Sequence, residues 1–250
     1  MTEKSYRYGH EHVSYKDKIQ GVARVFSAVA PQYDLMNDLM SLGLHRRWKN
    51  HLVSKLAPFP GMVHLDLAGG TGDIATRILQ KTKAMTPTAH VYVGDYSAEM
   101  LQEGRNRAID SGIHDQLSWI QLNGEALPFP DARFDSITLS FGLRNMAKLD
   151  QVLSHMHRIL KPGGKALIME FSKPAKPFVP LAQFYNHKFL PFMGEHVANN
   201  RDAYQYLADS IDTFPDQETL SKMLRKANFE RVSYENLAGG IVAIHQGIKS

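Results

Sequence analysis

Residues His64-Leu65-Asp66-Leu67-Ala68-Gly69-Gly70-Thr71-Gly72-Asp73 carry an apolar strand into three glycines and a small hydroxyl residue, and a helical pattern follows. Strand, tight glycine turn and helix form the unit by which an α/β fold brings its backbone against a nucleotide-like ligand. Glycine serves there because the turn needs positive φ and has no room for a Cβ beside the ligand. A plain strand-to-helix turn is the bland alternative, and the pieces that recur downstream argue against it.

Those pieces alternate. Met62–Leu67 reads as a strand, Ile74–Lys81 as a helix and His90–Asp95 as a second strand. Ser97 can cap a helix carrying Met100, Leu101, Ala108 and Ile109. Leu117–Leu122 and Phe134–Ser140 are further strands, and Leu149, Val152, Leu153, Met156, Ile159 and Leu160 recur at helical spacing. Lys161-Pro162-Gly163-Gly164 stops that helix before a fifth strand, Lys165–Phe171. A helix near Asp216–Ala227 then precedes two strand-like runs, Glu230–Leu237 and Ile241–Gln246, joined by the short link Ala238-Gly239-Gly240. The pattern predicts an α/β fold: a mostly parallel seven-stranded sheet with helices on both faces, ending in an antiparallel hairpin.

Ahead of the alternation, residues 1–17 are polar and read as a mobile tail. From about Lys18 to Ala57 the pattern is helical, with one stripe at Val22, Val25, Phe26 and Val29 and another at Leu52, Val53 and Leu56. The expected organisation is a tail, 1–17, and a single domain, 18–250, with a helical lid at 18–57 and a helical insertion at 174–215. With 250 residues, 43% apolar and 22% charged, the chain suits one such domain with a sizeable core.

Composition narrows the chemistry. Without cysteine there is no disulfide, thiolate catalysis or thiolate-bound metal, and the twelve histidines show no metal-ligand spacing, so no metal is expected. No run reaches the ~18 apolar residues of a membrane span, and the polar amino terminus lacks a secretory signal. The net charge of +4 is scattered, whereas a nucleic-acid reader needs a basic patch. Arg46-Arg47-Trp48-Lys49 is the one short basic run and reads as a solvated helix face.

Asp73 bears on the ligand. A dinucleotide seats its pyrophosphate on a helix N-terminus, and an aspartate there repels it, unless Asp73 simply caps the helix. S-adenosylmethionine (SAM) carries no phosphate, which favours it. The spacing from Asp66 to Gly72 resembles the first motif of class I SAM-dependent methyltransferases, with Ala68 where many members have their first glycine. Asp95 lies 23 residues beyond Gly72, close to the ~20-residue offset at which an acid accepts ribose hydroxyls. Asn123-Gly124 after the third strand could read an adenine edge, or could be only a turn. Ser140-Phe141-Gly142-Leu143-Arg144-Asn145 follows the fourth strand on the same side. There Ser140 could touch the cofactor, and Arg144 with Asn145 could bind an oxyanion.

Taken together, Leu65–Asp73, Glu125-Ala126-Leu127-Pro128-Phe129-Pro130 and Ser140–Asn145 resemble the UbiE-type quinone C-methyltransferases. So do Tyr33-Asp34-Leu35-Met36-Asn37-Asp38-Leu39-Met40-Ser41, Leu160–Gly164 and Glu170-Phe171-Ser172-Lys173-Pro174. Ala68 belongs to that family's own pattern. The resemblance implies SAM-dependent methylation of a ring carbon in a polyprenyl benzoquinol of the 2-methoxy-6-polyprenyl-1,4-benzoquinol type, and in demethylmenaquinol where that precursor is present. It implies SAM contacts from Asp66, Gly70, Thr71, Asp95, Asn123, Gly124 and Ser140, and catalytic roles for Arg144, Asn145 and Tyr33. It also implies a cytoplasmic protein with peripheral contact at the inner face of the membrane, association with other quinone-biosynthesis enzymes, and room for a homodimer. Methylation of another small phenol or lipid, a nicotinamide-dependent oxidation, and a non-catalytic assembly subunit stay open as alternatives. The aromatics Phe178, Phe184, Tyr185, Phe189, Phe192, Tyr204 and Tyr206 fit either core packing or a greasy channel for the prenyl tail.

Overall fold

The computed structural model describes residues 5–29, 38, 41–180 and 201–250. A short hairpin opens it, β1 (Tyr6–Tyr8) and β2 (Glu11–Val13), followed by α1 (Tyr15–Val29) and α2 (His45–Leu56). Of the segment expected as a mobile tail, the described residues 5–17 carry a paired hairpin and the first turn of a helix. Then come β3 (Val63–Leu67), α3 (Asp73–Thr82), β4 (His90–Asp95), α4 (Ala98–Asp110), β5 (Leu117–Gln121) and β6 (Phe134–Ser140). The chain continues through α5 (Leu149–Ile159), β7 (Leu160–Phe171), α6 (Arg201–Thr213), α7 (Gln217–Lys226), β8 (Glu230–Leu237) and β9 (Val242–Ile248).

The seven strands β3–β9 form one sheet in the order β5-β4-β3-β6-β7-β9-β8. Strands β3 to β7 are mutually parallel, and β9 lies antiparallel between β7 and β8. Seven mostly parallel strands closing in an antiparallel pair is the fold class expected from the alternation. The link at 238–240 turns with Gly239 and Gly240 at φ of 68° and 95°, which suits glycine.

Period-two burial explains why the sheet takes helices on both sides. In β7, Leu167 and Met169 join a core with Trp48, Leu52, Ile74 and Ile78 of α2 and α3. Ala166 and Ile168 point the other way, into a core with Val152, Leu153 and Met156 of α5 and Leu220 and Leu224 of α7. Helix α2 is therefore a structural wall, not part of a lid. Its Trp48 and Lys49 are buried, so the basic run is only in part a solvated face. Lys165 Nζ donates to the carbonyls of Lys55 and Leu56 at 3.3 Å, neutralising the open end of α2.

One polar seam crosses this core. His64 Nδ1 and Nε2 lie 2.7 and 2.8 Å from Ser136 Oγ and Thr138 Oγ1, and Thr138 donates to Asp66 Oδ1 at 2.9 Å. Thr138 has one proton and gives it to Asp66, so it accepts from His64 Nε2. The seam is fully buried, and burial pushes Asp66 up to about 7 and His64 down to about 3.

Candidate functional site

The strand order reverses between β3 and β6, and ligands of open α/β sheets bind at such a switch point, beyond the carboxyl ends of the strands. A cavity of about 300 Å³ lies there. Its wall takes Ala68 and Gly70 from the turn after β3, Asp95 from β4, Asn123 and Gly124 after β5, and Ser140 and Asn145 from the end of β6 and the turn beyond. Helix α1 covers it with Ile19, Val22 and Ala23.

The turn is shaped by necessity. Ala68, Gly70 and Gly72 all have positive φ, at 53°, 55° and 75°. Ala68 thus holds a left-handed conformation that costs a residue with a Cβ on the order of 1 kcal/mol. Its Cβ also dictates a neighbour: a Cβ on Gly142 would lie 2.5 Å from it. Asp73 does not cap α3, since Gly72 is the capping residue and offers no side chain. Asp73 instead pairs with Lys49 at 2.9 Å and Arg77 at 2.8 Å. Those cations outweigh its desolvation and hold its carboxyl below the usual range. Its charge is compensated, so repulsion of a pyrophosphate is weaker than the bare sequence implies.

Asp95 Oδ2 accepts from the Gly70 N–H at 2.8 Å and Oδ1 from the Ser97 N–H at 2.9 Å. Burial lifts its carboxyl above the usual range, against these backbone donors. The Tyr96 N–H is a third backbone donor to this carboxylate, which leaves one of its four lone pairs for a ligand. Ser97 caps α4 as expected, accepting from the Met100 N–H at 3.2 Å. Ser140 Oγ is buried without a partner among the described residues, and it belongs to the cavity wall. An orphaned buried hydroxyl at a cavity wall is costly unless a ligand completes it. These features fit a nucleoside with a polar tail.

Other expected residues stand elsewhere. Asp66 and Thr71 are buried behind the wall and do not line the cavity. The Asn123 side chain is engaged: Oδ1 accepts from the Glu125 N–H at 2.9 Å, and Nδ2 donates to Tyr15 Oη at 3.3 Å. Arg144 also lies behind the wall. Its Nη1 pairs with Glu170 Oε1 at 2.9 Å and donates to the Phe141 carbonyl at 2.6 Å, with side chains 4% and 1% exposed for Arg144 and Glu170. In this arrangement the guanidinium holds the loop and does not line the cavity. Asn145 does reach the cavity. Tyr33 and the aromatics Phe184, Tyr185, Phe189 and Phe192 lie outside the described residues. Tyr204 and Tyr206 are buried, which favours core packing for those two, while Phe178 is exposed.

Sequence reasoning missed the α1 contribution. Lys18 Nζ donates to the Met146 carbonyl at 2.9 Å, and burial lowers its amine to about 8. Glu125 Oε1 accepts from the N–H groups of Ala147 and Lys148 at 2.6 and 3.2 Å. Glu125 and Lys18 therefore tie the loops after β5 and β6 to each other and to α1. The buried-acid role of Glu125 was hidden in a motif read only as a family resemblance.

A cavity at the switch point of a parallel sheet that closes with an antiparallel pair is the architecture of class I SAM-dependent methyltransferases. A solved SAM-dependent methyltransferase from Aquifex aeolicus matches this structure with a TM-score of 0.57 at 15% identity, covering 81% of this chain and 89% of that one, which speaks for the fold alone. The chain belongs to the ubiE/COQ5 methyltransferase family, whose model matches residues 13–249. It is 46% identical to the mitochondrial 2-methoxy-6-polyprenyl-1,4-benzoquinol methylase of Oryza sativa subsp. japonica, over 97% of this chain and 87% of the rice protein. It is likewise 46% identical to the ubiquinone/menaquinone biosynthesis C-methyltransferase UbiE of Pseudoalteromonas translucida, over 99% of this chain and 98% of that protein.

Among the described residues no group of three or more His, Cys, Asp or Glu stands close enough to hold a metal ion. No described helix is long and apolar enough to cross a membrane.

Proposed function

We propose that this protein is a SAM-dependent C-methyltransferase that methylates a ring carbon of a polyprenyl benzoquinol, and of demethylmenaquinol where that precursor exists, in ubiquinone and menaquinone biosynthesis. The observation that carries the reading is end-to-end similarity to two quinone-pathway methyltransferases, one of them a benzoquinol methylase.

SAM supplies a methyl group on a sulfonium, already a strong electrophile. Asp95 would accept from a ribose hydroxyl, using the lone pair that its three backbone donors leave free. Gly70 would let the backbone close on the ligand, with Thr71 and Asp66 supporting the turn from behind. Gly124 and the backbone of Asn123 would border the adenine, and Ser140 would pair with the polar tail. The nucleophile is a ring carbon made electron-rich when a quinol hydroxyl loses its proton. The protein has to align that carbon and stabilise the phenolate. Asn145 is the polar side chain in place for this, with Arg144 holding its loop through Glu170. Tyr33 keeps the third role that its motif implies.

A polyprenyl substrate dissolves in the bilayer. The reading therefore carries with it a cytoplasmic protein in peripheral contact with the inner membrane face, association with other quinone-biosynthesis enzymes, and a homodimer as a further expectation. The test is mass spectrometry of cellular quinones after deletion of this chain, beside an assay of the purified protein on demethylated quinols and on short phenols. One accumulating precursor that lacks a ring methyl, and turnover on the quinols, are expected. Unchanged quinones with turnover only on short phenols would overturn the assignment, and SAM binding without any turnover would favour an assembly subunit.

A further inference from the structure

Tyr206 of α6 is buried beside the site without lining the cavity. Its hydroxyl donates to Asn145 Oδ1 at 3.1 Å. That bond fixes which way the amide faces: Oδ1 is held on the Tyr206 side, and Nδ2, a pure donor, is left on the other. A donor fixed in direction before reaction is what a developing phenolate needs. Free to rotate, the same amide would present its oxygen half the time and repel the charge.

The tyrosine is itself held. Its ring stacks on Tyr8 of β1, with centroids 4.6 Å apart and planes at 26°. Tyr8 in turn fills the notch at Gly21 of α1, where a Cβ would stand 2.8 Å from the Tyr8 ring. On the same hairpin a Cβ on Gly9 would stand 3.0 Å from Asp209 Cβ of α6. The hairpin is thus wedged between α1 and α6 and fixes where the Tyr206 hydroxyl can go. Burial pushes the Tyr206 phenol above the usual tyrosine range, so it remains a donor at neutral pH.

We infer that Tyr206 is a positioning residue for methyl transfer: it locks the Asn145 amide with Nδ2 toward the reacting ring, and the amino-terminal hairpin locks Tyr206. The inference rests on the function proposed above and adds to it a residue that does not touch the substrate.

Tyr206→Phe keeps the ring and its stack and removes only the hydroxyl. Against a demethylated quinol it should lower kcat about tenfold, the worth of one hydrogen bond, with KM, SAM affinity and melting temperature close to the wild type. Asn145→Ala should lower kcat by about 10²-fold. The decisive measurement is the double variant. If Tyr206 acts through Asn145, adding Tyr206→Phe to Asn145→Ala causes no further loss. A wild-type kcat in Tyr206→Phe, or losses that multiply in the double variant, would overturn the inference, and a general folding defect would show as the second pattern. Wild-type protein that binds SAM but turns over no quinol would remove the proposed function, and this inference with it.

Discussion

Asp95 and Arg144 are charged residues on the two sides of the cavity wall, and their partners give them different tasks. Asp95 keeps a lone pair for a ligand, so Asp95→Ala should weaken SAM binding by about 1.5–3 kcal/mol, the range for a hydrogen bond to a charged group. Calorimetry on the folded variant checks this, and unchanged affinity removes Asp95 from the site. Arg144 is spent on Glu170. Arg144→Ala leaves a buried carboxylate alone, and such losses cost about 3–5 kcal/mol. Denaturant unfolding should therefore show a large stability loss in Arg144→Ala, with part of it restored when Glu170→Gln is added. A variant of wild-type stability that is merely slow would return Arg144 to the phenolate. Asp95 was legible from a spacing within one βαβ unit. The fate of Arg144 was not, because its partner is 26 residues away on the next strand and only the sheet register brings them together.

Strands were read well where both faces are buried, since the apolar runs and their turns are local signals. The His64–Asp66 seam shows what such a reading leaves out. Along β3 the alternation places His64 and Asp66 on one face, but only the parallel register with β6 supplies Ser136 and Thr138. Its titration is testable. Asp66, raised to about 7, binds a proton in the native state that the unfolded chain releases near the ordinary value of 3.8. Its contribution therefore falls as pH rises from about 4 to 7. His64, lowered to about 3 from 6.5, does the reverse, and its contribution rises with pH through that interval. The two slopes oppose. Asp66→Asn removes one of them, so stability between pH ~4 and ~6.5 should climb more steeply than in the wild type. Urea unfolding at several pH values measures it, and parallel profiles would mean that Asp66 titrates normally. The amino-terminal hairpin was illegible for a related reason. Its strands are three residues each, too short for an alternation such as Tyr6-Arg7-Tyr8 to mark a strand, and they are held by Tyr8 against Tyr206.

At the scale of the molecule, parts distant in sequence converge on one cavity: α1 and the loops after the parallel strands form its wall, and the hairpin and α6 brace that wall from behind through Tyr8 and Tyr206. The α1 side is apolar, through Ile19, Val22 and Ala23. Substrates with longer prenyl tails should accordingly bind more tightly, since burial contributes about 0.8 kcal/mol per CH₂ before ordering costs. KM measured over a series of tail lengths checks this, and indifference to length would confine recognition to the ring. The sheet order holds a consequence for how the protein comes into being. Strand β9 follows every other element in chain order, yet it sits inside the sheet between β7 and β8. Until it arrives, β7 has an open edge and β8 has nothing to pair with. During synthesis the cavity-bearing half can be assembled on the ribosome while its margin stays sticky, a hazard for any chain that meets a neighbour then. An early stop just before Val242 would spare every residue of the candidate site and still leave a protein that cannot close.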